Sequence, residues 1–173
     1  MTLVARRAAL SAFALATVMP VCAHAAGRGV QSYGNAPYLG QLEATMRVPG
    51  TAKAGKRDIG TGSAQFIDTG GGRIRLVVVG SIEKPGDAGF VIDGISSGSG
   101  WTSRSGGMVF SVAADGRISG GGTLPPQRMR FAGSVSEGRF ELKVDLELIE
   151  RNGKGLPPGT RFTFDYDLRR SPG

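Results

Sequence analysis

Over most of its length the chain alternates apolar and polar positions with a period of two. The plainest case runs from Glu137 to Arg151: Phe140, Leu142, Val144, Leu146 and Leu148 fall on one face, and Glu141, Lys143, Asp145 and Glu147 on the other. Such alternation marks a β-strand with one buried face and one wetted face. The pattern recurs in LEATMRV (42–48), TGSAQFIDT (61–69), GRIRLVVVGSIEK (72–84), GFVIDGIS (89–96), GGMVFSVAA (106–114), GRISGGGTL (116–124), QRMRFAGSV (127–135) and TRFTFDYDLRR (160–170). Glycine separates many of these runs, as expected of strands joined by tight turns. No segment after residue 25 has the 3.6-residue period of a helix.

About nine short strands in series predict an antiparallel meander. No connection is long enough to carry a parallel crossover. A twisted meander of this size removes its exposed edges by closing. The expected fold is therefore all-β: one small up-and-down barrel of 8–9 strands over residues 41–170, with a β-sandwich as the alternative. Residues 26–40 read as a flexible leader, from which Tyr33 and Tyr38 are placed to fold back onto the barrel. Three turns share a motif, GGRI (71–74), DGRI (115–118) and EGRF (137–140). Each reads as a hairpin whose glycine takes positive φ.

The layout resembles the small barrels of the lipocalin-like (calycin) group, which hold a ligand or plug a partner's cleft. The likeness is one of architecture. Lipocalins carry Gly-x-Trp near the first strand, whereas the first strand here has none and the single tryptophan, Trp101, is mid-chain.

The first 25 residues change the chemistry available. A basic start (MTLVARR), an apolar stretch (AALSAFALATVMPV) and Ala23-His24-Ala25 have the order of a secretory signal cleaved after Ala25. The expectation is a protein exported to the periplasm or beyond the cell. Cys22 and His24, the only cysteine and the only histidine, would leave with that segment. The remaining 148 residues then exclude disulfides, thiolate nucleophiles, His/Cys zinc sites and Ser-His-Asp machinery. Carboxylates are the general acid–base groups that remain: Asp165 and Asp167 on the last strand, and Glu141, Asp145 and Glu147 on the one before. Each is interleaved with basic residues, the pattern of cross-strand ion pairs rather than of a hydrolase. No DxDxDG loop is present, and neither metal nor cofactor is expected.

Binding is the function class that remains. The first reading is a small apolar or amphipathic ligand held in the barrel; the second is an interaction or inhibitor barrel that docks another extracytoplasmic protein. A small outer-membrane barrel ranks third, because aromatics make up only 7% of the chain, too few for two girdles. The sharpest ligand candidates are Trp101 and Arg104, in the glycine- and serine-rich segment 96–107. There an indole can stack on a flat ligand, or can instead plug the barrel with its N–H on a carbonyl. Anion-contact candidates are Lys53, Lys56 and Arg57 in a basic connection, and Arg73, Arg117 and Arg139 in the three repeated turns. Arg128 and Arg130 form a further pair able to join Arg73 and Arg75 if their strands are neighbours. Without the signal, 19 basic side chains face 14 acidic ones, which suits contact with an anionic envelope surface and gives no reason to expect nucleic acid.

Overall fold

The computed structural model describes residues 33–34, 36–51, 55–83, 87–98, 100–153 and 155–171. The segment read as a secretory signal lies outside them. Ten strands follow in chain order: β1 (Tyr38–Arg47), β2 (Lys56–Gly70), β3 (Arg73–Ser81), β4 (Ala88–Ser97), β5 (Gly100–Ser105), β6 (Met108–Ala113), β7 (Arg117–Leu124), β8 (Gln127–Val135), β9 (Arg139–Leu148) and β10 (Arg161–Arg170). Each pairs antiparallel with its neighbours in sequence, and β1 closes on β10 from Tyr38↔Arg170 to Arg47↔Arg161. The meander is thus a closed antiparallel barrel, as the alternation predicts.

Three elements differ from the sequence reading. β5 lies in the glycine- and serine-rich segment that reads as a loop. Its inward positions carry Trp101 and Ser103, so only one large apolar residue marks the buried face. β2 begins at Lys56 and converts half of the basic connection into strand. β1 starts at Tyr38, within the stretch read as a leader and four residues before the run that begins at Leu42.

The alternation sorts side chains as the sequence dictates. Leu42, Ala64, Phe66, Ile74, Leu76, Val78, Phe110, Val112, Phe140, Leu142 and Leu168 point inward and are buried. Aromatic rings run through this interior, with Trp101 edge-on to Phe66 and Phe110 at 6.2 and 5.7 Å, and Phe110 against Phe131 at 5.0 Å. Edge-to-face pairs at such separations add to the burial of large apolar rings.

The two ends differ. One end carries the β2–β3, β4–β5, β6–β7 and β8–β9 turns together with residues 33–34 and 36–37. There Tyr33 lies 5.8 Å from Phe66, and the Tyr38 hydroxyl donates to the Ser136 carbonyl at 2.8 Å. In the β2–β3 hairpin, Gly71 and Gly72 take φ of +63° and +75°, the positive values that a tight type I′ turn requires. Gly116 also has positive φ; Gly138, in the third repeat of the motif, does not. This end is closed. The opposite end carries the β1–β2, β3–β4, β5–β6, β7–β8 and β9–β10 connections.

Candidate functional site

Toward that opposite end the inward-facing series loses its cover. Phe90, Ile92, Met108, Met129 and Phe164 pack against the core yet are only partly buried. Farther along, Met46 is 40% exposed and Leu124 49%. Side chains that face into a barrel reach water only through an open end, so this end forms an apolar mouth. Beside β4 the wall is thin. β4 and β5 pair only at Ile95↔Thr102, Ser96↔Trp101 and Ser97↔Gly100.

A cleft of about 800 Å³ runs along β7–β10 and β1 at this end. Met129, Leu146 and Phe162 enter its lining from the inward series, and Arg47, Arg128, Arg130, Asp145, Glu147, Arg161 and Thr163 from the outward series. The Thr163 hydroxyl donates to Asp145 at 2.8 Å, and Arg161 stands 3.7 Å from Glu147. Among the described residues the guanidinium groups of Arg47, Arg128 and Arg130 make no hydrogen bond or ion pair.

The arginines farther down the same wall are engaged by the chain itself. Arg139 donates through two nitrogens to Asp167, at 3.0 Å each, and also meets Glu141 at 2.7 Å. This pairing lowers the Asp167 pKa below the ordinary carboxylate value. Arg57 is bonded to Glu43. On the far side of the barrel Arg75 grips Asp93 at 2.7 and 3.1 Å and holds its carboxyl low in the same way.

A shallower groove of about 400 Å³ on the outer wall brings together Gln41, Glu43, Glu141, Lys143, Asp165 and Asp167. Burial raises the Asp165 pKa; Lys143 opposes the shift, and Glu43 and Asp145 reinforce it. Glu43 and Asp165 are directly opposed across β1 and β10. Among the described residues, no group of three acidic side chains is arranged to hold a metal ion.

The site residues read from the sequence are mostly dispersed. Trp101 stands on a strand rather than a loop, is 1% exposed, and donates its indole N–H to the Ile74 carbonyl at 3.1 Å. That is the plug geometry, at the closed end. Arg104 lies on the same strand with its side chain on the outer face, so the two do not converge. Arg73, Arg117 and Arg139 all sit at the closed end, as three equivalent turns require, but on separate strands, and Arg139 is already paired. Arg128 and Arg130 are on β8, with four strands between it and the β3 of Arg73 and Arg75 in either direction, so the two pairs do not share a patch. Lys53 and the side chain of Lys56 lie outside the described residues. What sequence reasoning did not locate is which residues form the mouth. A signal for it was present: of the five methionines, two precede residue 26, and the other three, Met46, Met108 and Met129, all face inward at the open end.

No protein family matches the chain, and no curated protein is detectably similar to it in sequence.

Proposed function

We propose that this is an exported, non-enzymatic binding protein that takes a small apolar or amphipathic ligand at the open end of its barrel. The carrying observation is the gradient of cover along the inward face, from fully buried Tyr38, Phe140 and Leu168 at the closed end to the half-covered Phe90, Met108, Met129 and Phe164. Methionine suits such a mouth, because its flexible, polarizable side chain adapts to irregular apolar shapes. Concave, mostly apolar surfaces with a few polar groups are where small ligands bind. Export rests on the character of residues 1–25, and the non-enzymatic reading on the lack of histidine and cysteine after residue 25.

A membrane-spanning barrel is the poorer account. Its outer wall needs an apolar band, whereas β9, β10 and β1 carry Glu43, Glu141, Lys143, Asp145, Asp165 and Asp167 outward. The test is titration with a neutral fluorescent apolar probe, N-phenyl-1-naphthylamine. Wild-type protein is expected to enhance its emission saturably, and Met46→Glu, at an inward position that is 40% exposed, to weaken binding tenfold or more with little change in the unfolding midpoint. Absence of saturable enhancement in wild-type protein contradicts the reading.

A further inference from the structure

We infer that the Tyr166 hydroxyl is the polar contact for the barrel's ligand, and that this ligand is an uncharged apolar molecule presenting one oxygen acceptor to it, of the ketone or ester kind. This rests on the apolar-mouth reading and names the chemistry that the mouth selects.

Gly40, Gly62, Gly80 and Ala88 stand directly opposite one another across β1, β2, β3 and β4. Because the strands are staggered, this row of small residues climbs from the start of β1, near the closed end, to the start of β4 at the open end. Tyr166 lies along it. The residue is on the inward face of β10, between Leu42 of β1 and Leu142 of β9, and is 4% exposed. A Cβ at Gly62 would stand 3.0 Å from its ring, and one at Gly80 3.2 Å from its hydroxyl. The ring therefore starts at mid-barrel and aims its oxygen toward the end where Phe90 and Phe164 lose their cover.

Among the described residues that hydroxyl makes no hydrogen bond. The other buried donors of the interior are matched: Tyr38 bonds the Ser136 carbonyl, Trp101 that of Ile74 and Ser103 that of Asp93. Tyr33 also lacks such a bond, but it stands among the closed-end turns, beside Gly116 and within the field of Asp115. For Tyr166 burial alone acts, pushing the pKa up to about 12, so at neutral pH the phenol keeps its proton and can only gain by donating it to an acceptor. A buried donor left without an acceptor costs stability, and native proteins rarely leave one. The acceptor comes from what enters the mouth. A charged ligand group at this depth would lack a counter-charge, which makes a neutral oxygen the matching partner.

The experiment titrates wild-type protein and Tyr166→Phe with two neutral naphthalene probes. Prodan carries a ketone that accepts a hydrogen bond, and N-phenyl-1-naphthylamine has no oxygen. Urea midpoints of both proteins are measured without probe. Wild-type protein is expected to bind Prodan about threefold to tenfold more tightly than the variant does, the usual yield of one neutral hydrogen bond. Bound Prodan is expected to emit farther to the red in wild-type protein, since donation to its ketone lowers the emission energy. N-phenyl-1-naphthylamine should bind both proteins alike, and the variant's midpoint should equal or exceed the wild-type value, because the deleted hydroxyl has no partner in the chain. Equal affinity and emission of Prodan in the two proteins overturn the inference while leaving the apolar mouth in place. A lowered midpoint in the variant overturns it too, since the hydroxyl then serves the fold through a buried water or a protein group. If neither probe binds wild-type protein saturably, the apolar-mouth reading falls as well.

Discussion

Trp101 reaches the Ile74 carbonyl by leaning from β5 over β4, and it crosses that strand at Gly94. A Cβ at Gly94 would stand 2.6 Å from the indole and 2.7 Å from the Thr102 carbonyl oxygen. The crossing therefore needs a residue with no side chain. Gly94→Ala is expected to destabilise the barrel by about 1–3 kcal/mol, the usual cost of overpacking a well-filled core. Urea denaturation followed by the emission of the single tryptophan measures this directly, and an unchanged midpoint would contradict the packing account. The same geometry explains why the indole is poorly placed to meet a ligand: both its ring and its N–H are already engaged at the closed end.

At the scale of the strand, period-two alternation made nine of the ten elements legible, because eight of them carry at least two large apolar residues on the inward face and β2 alternates through Ala64 and Phe66. β5 escaped because Ser103 occupies its second inward position, leaving glycine, serine and arginine to suggest a loop. The arginine constellation was illegible for a different reason. Arg47, Arg128, Arg130 and Arg161 come from β1, β8 and β10, and only closure of β1 onto β10 brings them to one cleft. That closure also sets Glu43 against Asp165. Burial and the neighbouring acids raise the Asp165 pKa, so the folded chain holds this proton more tightly than the unfolded chain does. The ionised carboxylate thus opposes folding above its folded-state pKa, and the penalty disappears as pH falls through that value. Asp165→Asn is expected to raise the urea midpoint at neutral pH, with the gain vanishing on acidification. A gain that persists unchanged in acid, or a loss at neutral pH, would show that the β1–β10 pairing is not strained by like charge.

For the whole molecule, the account turns on a barrel with two unlike ends. Trp101, Tyr33, Tyr38 and Phe140 seal one end, and the cover given to inward-facing side chains falls away toward the other, where three methionines gather. Stability belongs to the sealed end and, on the reading proposed here, recognition to the open one. Substitutions at the mouth should accordingly change binding far more than folding. The most direct measurement is native mass spectrometry of the protein purified gently from the cells that make it. The account predicts a reproducible extra mass of small-molecule size that is lost on denaturation. The bare mass of the chain, or a complex with another protein and no small molecule, would contradict it.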